Sequence, residues 1–129
     1  QLMIEALFNQ PNFVAAKRLL DVTALRHEAI VANLANVDTP GYRRIDVAPA
    51  FEQQLRDAIA SRDTTAMRRV EPALTVDTKA VARRKDGNTV DLETELVHLN
   101  RNALEHAAES QLLTGTLLRL RLAITGRAS

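Results

Sequence analysis

A repeat that steps by four and then three residues occupies the last third of the chain. Positions 92, 96, 99, 103, 106, 110, 113, 117, 120 and 124 read Leu, Leu, Leu, Ala, His, Ser, Leu, Leu, Leu and Ile. All but His106 and Ser110 are apolar, which is the seam of a coiled coil. Asp91 precedes the repeat as an N-cap, and Glu93 and Glu95 place negative charge in the first turn, where the helix dipole favours it. Gly126 suits a C-terminal stop. At about 1.5 Å per residue, Asp91 to Thr125 spans roughly 50 Å. The two polar interruptions lie near Ala103 and Ala107, whose small side chains permit close approach. A seam of this length needs a partner.

The nearest partner is an N-terminal helix expected from about Phe13 to Asn36. Lys17, Asp21 and Glu28 gather on one narrow side of it, with Arg18 at the edge. Leu19, Leu20, Val22, Leu25, Ala29, Ile30, Val31 and Leu34 spread over most of the rest. One partner helix cannot cover so wide an apolar arc, so either a bundle or other subunits must do so. Leu92, Leu96, Leu99, Ala103, Leu113, Leu117, Leu120 and Ile124 are expected to face Leu19, Val22, Leu25 and Ala29. The fold expected is mainly α: two long terminal helices in an antiparallel coiled-coil-like hairpin, joined by a short, partly irregular middle. Before the first helix, residues 1–10 are apolar on one side, through Leu2, Ile4, Leu7 and Phe8. Met3 is a candidate start.

Ala32 to Tyr42 ends the first helix and redirects the chain. Asn36 and Asp38 have short polar side chains that compete for backbone hydrogen bonds and suit a helix end. Pro40 supplies no N–H and pushes Thr39 towards an extended conformation. Gly41 accepts positive φ, so Pro40-Gly41 reads as the centre of a tight turn. The residues Asn33-Leu34-Ala35-Asn36 and then Thr39-Pro40-Gly41-Tyr42 resemble the N-terminal motif of bacterial flagellar axial proteins. Ala32 departs from the Asn that many of those proteins carry there. Asn33 and Asn36 either hydrogen-bond across a subunit interface and fix its register, or simply cap the helix end.

The middle, from Arg43 to about Thr89, is less periodic. Phe51, Leu55, Ala58 and Ile59 predict a short helix from about Ala50 to Ala60. Residues 61–65 read as polar loop, and Val70, Leu74 and Val76 around Pro72 as extended segments. There is too little apolar material for an independent core, so mobility is expected in the isolated chain. Three segments result: 1–42, the N-terminal helix and turn; 43–90, the flexible middle; and 91–129, the C-terminal helix.

Asp86-Gly87-Asn88-Thr89-Val90-Asp91-Leu92-Glu93 adds a second resemblance, to the stretch before the last helix in the proximal rod members of the axial family. That resemblance implies a structural subunit of the helical rod that crosses the periplasm, transmits torque and surrounds an export channel. It implies partners among copies of itself, other rod and basal-body proteins, and the flagellar export apparatus. It also implies export without a cleavable signal peptide, in keeping with the lack of a basic-then-apolar leader before the first helix.

Composition removes most other classes. Aromatic residues are only 3%, Gly and Pro number 4 each, and Cys is absent. Long helices are favoured, and disulfides and thiolate metal sites are excluded. The 17 Lys and Arg against 16 acidic residues give no global field for nucleic acid or anionic lipid, and no apolar run is long enough for direct membrane insertion. Glu95-Leu96-Val97-His98 has the Glu-x-x-His spacing of di-iron bundles, but no second copy accompanies it. Arg68-Arg69 and Arg83-Arg84-Lys85 lack a nucleic-acid recognition motif and read as solvated loops. No catalytic set or phosphate loop stands out, and no cofactor is expected. The competing reading is a stand-alone coiled-coil dimer acting as an adaptor.

Overall fold

A computed structural model describes residues 10–126. The expected apolar stretch at 1–9, with Met3, lies outside them. The order of elements is α1 (Pro11–Ala35), β1 (Ile45–Val47), α2 (Pro49–Ala60), α3 (Thr64–Arg69), β2 (Leu74–Val76) and α4 (Leu92–Thr125). The chain is mainly helical, with a long helix near each end.

Each helix begins where its sequence permits. Pro11 and Pro49 occupy first-turn positions of α1 and α2, where a missing N–H costs nothing. Asp63 caps α3 by accepting from Ala66 N at 3.0 Å, and Asp91 caps α4 by accepting from Thr94 N. Gly126 ends α4 in the left-handed region, φ 69°.

The two strands pair antiparallel, with Ile45 opposite Val76, Asp46 opposite Thr75 and Val47 opposite Leu74. The core joins Val14, Ala15 and Val22 of α1 to Val47, to Phe51, Leu55 and Ala58 of α2, to Met67 of α3, and to Val70. The middle, expected to be partly irregular with one short helix, therefore has two helices and a strand pair. Thr64 and Thr65, read as loop, start α3, because Asp63 caps a turn whose Met67 can be buried. The apolar residues of 43–90 share one core cluster with α1. The wide apolar arc of α1 supplies the other half.

That sharing changes the partners expected of α1. Leu19 and Leu25 lie against this cluster and Val22 belongs to it, so these three residues of α1 are turned towards the middle. The contacts of α1 with α4 are polar where hydrogen bonds define them. Asn102 Nδ2 donates to Thr23 O at 2.8 Å, and Asn33 Nδ2 to Glu95 Oε2 at 3.2 Å.

Candidate assembly site

The two sequence motifs meet. Residues 86–89 lie against the end of α1 and the turn that follows it. Gly41 N donates to Asp86 O at 2.8 Å, Thr89 N to Tyr42 O at 3.0 Å, and Arg44 N to Thr89 Oγ1 at 2.8 Å. Gly41 and Gly87 both have positive φ, 73° and 79°, and a Cβ on Gly87 would stand 3.9 Å from Gly41 Cα. Glycine suits both turns because an L side chain is strained at that φ.

Asn88 is the clasp. Its buried Nδ2 donates to Asn36 O at 2.9 Å, Val37 O at 3.2 Å and Thr39 O at 2.7 Å. These carbonyls lie at and just beyond the end of α1; Asn36 O also accepts from Thr39 N at 3.0 Å, Thr39 O from Tyr42 N at 3.2 Å and Val37 O from Arg84 Nη2, so Asn88 adds a second donor to each. Its Oδ1 accepts from Val90 N at 2.7 Å, while its own N–H goes to Asp86 Oδ1 at 3.0 Å. In the sequence Asn88 stands out only as part of the Asp86–Glu93 resemblance, with no partner indicated. The clue lay in its place within Asp-Gly-Asn, but its partners are some fifty residues away in the chain.

Asn33 is fully buried and its amide is saturated within the chain. Nδ2 donates to Ile45 O at 2.9 Å and to Glu95 Oε2; Oδ1 accepts from Ile45 N at 2.9 Å and from Tyr42 Oη at 3.1 Å. Two donors and two acceptor sites are all that a carboxamide has. Asn33 thus serves as a side-chain strand partner for Ile45, with no capacity left for a neighbouring subunit. Asn36 reaches back to Ala32 O at 2.8 Å and accepts from Thr39 Oγ1 at 3.1 Å, a local cap. Leu34 is half-buried, while Ala35, Thr39, Pro40 and Gly41 are exposed.

Under this turn sits a buried ion pair. Arg44 Nε donates to Glu95 Oε1 at 2.8 Å and Nη2 to Oε2 at 3.3 Å; Nη1 reaches Asp77 at 2.7 Å and Asp46 at 3.3 Å. Burial opposes the Arg44 charge, but hydrogen bonds to Glu95 and Asp77 and the nearby carboxylates outweigh it and raise its pKa. For Asp77 burial again opposes the charge, here by acting upward, and the hydrogen bonds and charge of Arg44 with the backbone N–H groups of Lys79 and Ala80 overcome it, holding the carboxyl below its ordinary value. Burial, aided by the Glu95 charge, raises the Tyr42 phenol. Neither Arg44 nor this role of Glu95 was anticipated. By sequence Glu95 is a dipole residue of the first turn; in the fold its carboxylate is held by Arg44 and Asn33.

The predicted seam is divided by the fold. Leu120 is buried and Leu99 and Leu113 are half-buried, whereas Leu92, Leu96, Ala103, Leu117 and Ile124 are exposed. Glu95, Asn102 and Thr116 are buried in their place. Aligning hydrophobic positions could not reveal this offset, because ion pairing at Glu95 opposes it.

Known proteins are similar to this chain in sequence. The flagellar basal body rod protein FlgB of Escherichia coli (strain K12) is 34% identical over 112 residues, covering 76% of this chain and 81% of its own. The protein of that name from Aquifex aeolicus (strain VF5) is 30% identical over 114 residues, covering 87% and 91%. That from Borrelia hermsii is 31% identical over 107 residues, covering 69% and 77%. No family model matches the chain.

Proposed function

Because this chain belongs to the FlgB family of flagellar basal-body rod proteins, we propose that it self-assembles through its two long helices, arranged as an antiparallel coiled-coil-like hairpin. It is a structural subunit of the basal-body rod and not an enzyme. The order of contacts supports the hairpin. Asn33 near the end of α1 meets Glu95 near the start of α4, and Thr23, earlier in α1, meets Asn102 and His106 further along α4.

The observation that carries assembly is the apolar stripe left on α4, with Leu92, Leu96, Leu117 and Ile124 each 40–48% exposed. A stripe roughly 50 Å long and about 10 Å wide offers about 500 Å² per partner. The total of about 1,000 Å² lies at the lower edge of specific interfaces. One pairing is therefore weak, and repetition of a head-to-tail contact that does not close gives a helical polymer. Residues Asn33 to Tyr42 act in this reading by fixing where the middle segment, 43–90, leaves the hairpin formed by α1 and α4.

The reading extends to torque transmission, enclosure of the export channel, contacts with other rod subunits, and delivery by the export apparatus. Among the described residues, no helix is long and apolar enough to cross a membrane. Nothing in the fold or the relatives favours the stand-alone dimer.

The test is removal of this chain from its host, followed by electron microscopy of isolated basal bodies. Loss of the rod, restored by the intact chain but not by Leu96→Asp/Leu117→Asp, is expected. Intact rods without the chain would overturn the reading.

A further inference from the structure

Helix α4 carries two overlapping seams. Leu99, His106, Leu113 and Leu120 are common to both. In the fold they are accompanied by Glu95, Asn102, Glu109 and Thr116, three of them buried and Glu109 half-buried. One residue further along, Leu96, Ala103, Ser110 and Leu117 complete the more apolar seam, yet Leu96 and Leu117 are largely exposed. At about 3.5 residues per turn, the two flanks exchange by a rotation of about 50° about the helix axis.

Transfer of apolar surface from water favours the other flank, since the observed phase buries a carboxylate, a carboxamide and a hydroxyl in place of leucines. The observed phase also leaves Asn102 Oδ1 buried without a hydrogen-bond partner. Something must hold α4 in the more polar phase. Its contacts with α1 at Thr23 are neutral, and the Arg26–Glu105 ion pair, at 3.7 Å, is half exposed on the Glu105 side. Asn102 donates to Thr23 O, and His106 Nδ1 lies 3.1 Å from Thr23 Oγ1. Because the Thr23 hydroxyl proton goes to Leu20 O at 3.0 Å, His106 Nδ1 is the donor. Only the first turn carries a buried ionic contact to the rest of the fold, among the described residues. There Glu95 is bound by both Arg44 and Asn33. Rotation would withdraw that carboxylate and leave the buried Arg44 Nε and Nη2 without their partner, only Nη1 keeping Asp77 and Asp46, which is unfavourable.

We propose that Arg44, Asn33 and Glu95 form a phase pin that sets the rotation of α4 on α1 and keeps the Leu96–Leu117 flank facing outward for a second copy of the chain. Buried polar groups that select register at a cost in stability are known from coiled coils. Glu95 is thus a positioning residue for assembly. The outward flank as assembly surface rests on the function proposed above; the pin itself does not.

Disulfide trapping tests it, and the absence of cysteine leaves introduced thiols unique. Thr23→Cys is combined with either Asn102→Cys or Ala103→Cys, and the oxidation rates of the two chains are compared. With the pin intact, the 102 pair should close at least ten times faster than the 103 pair. In the Arg44→Leu/Glu95→Leu background this ratio should fall to one or invert. A folded background with an unchanged ratio overturns the pin. Should that background lose its helical circular dichroism, Glu95→Gln is read instead, with a several-fold fall expected and an unchanged ratio again overturning the proposal. Sedimentation separates the two readings. A shifted ratio with undiminished assembly upholds the pin and sinks the leucine flank as assembly surface, whereas lost assembly at an unchanged ratio sinks the pin.

Discussion

Arg44 Nε and Glu95 Oε1 stand 2.8 Å apart with side chains 7% and 1% exposed, joining the segment after the first turn to the first turn of α4. Removing one partner leaves the other charged and buried. Arg44→Ala or Glu95→Ala should each lower stability by about 3–5 kcal/mol. Replacing both by Met should recover much of that loss. Thermal and urea unfolding of the two single variants and the double variant measure it; additive losses would show that the residues do not act as a pair.

Asn88→Ala removes the donor shared by three carbonyls beyond the end of α1. Each carbonyl keeps another donor, so the loss is that of the hydrogen bonds themselves, about 0.5–1.5 kcal/mol apiece, and a total of about 2 kcal/mol is expected, with early amide exchange at residues 36–42. Asn88→Asp, which keeps the shape and loses the donors, should be no better. Native-like stability in either variant would remove the clasp from the account.

Gly41 has open space where a Cβ would stand, so its φ of 73° is the whole objection to a side chain there. Gly41→Ala should cost about 1–2 kcal/mol, and Gly41→Asn less, because Asn tolerates the left-handed region better. Chemical unfolding of both variants tests the order. Equal stability of Gly41→Ala and the native chain would mean that the turn relaxes.

Stability should carry two pH signatures near this site. Asp77 is held below its ordinary value of 3.8 when folded, so below that pH the unfolded chain takes up the proton first. Its contribution is present above 3.8 and is lost as pH falls through the folded value. Tyr42 is raised above 10.0, so its contribution is present below pH 10.0 and is lost as pH rises through the folded value. Asp77→Asn should flatten the acid limb and Tyr42→Phe the alkaline limb of the stability curve. A variant limb parallel to the native one would contradict the corresponding linkage.

Leu96 and Leu117 are surface residues of the isolated fold, 48% and 40% exposed. Leu96→Asp and Leu117→Asp should therefore change the unfolding free energy by less than about 1 kcal/mol while abolishing concentration-dependent assembly. Sedimentation velocity beside circular dichroism reads both. Loss of helix in the dilute variants would mean that the leucines are needed within the chain.

Local sequence was enough to place both long helices and α2 to within a residue or two, whereas α3, read as loop, escaped it. Their causes are local: apolar periodicity in α1 and α4, caps at Asp91 and Gly126, and prolines at the starts of α1 and α2. The turn at Pro40-Gly41 and the short helix α2 were legible for the same reason, as was membership of the flagellar axial family from residues 33–42 and 86–93. Only the tertiary structure decided what those elements face. The partners of Asn33, Asn88 and Arg44 lie far away in sequence, so no spacing rule brings them together. The phase of α4 follows the same logic. A hydrophobic count favours Leu96, Ala103 and Leu117, but Glu95 is held by Arg44 and Asn33, and the cost of stranding that buried charge decides which face turns inward.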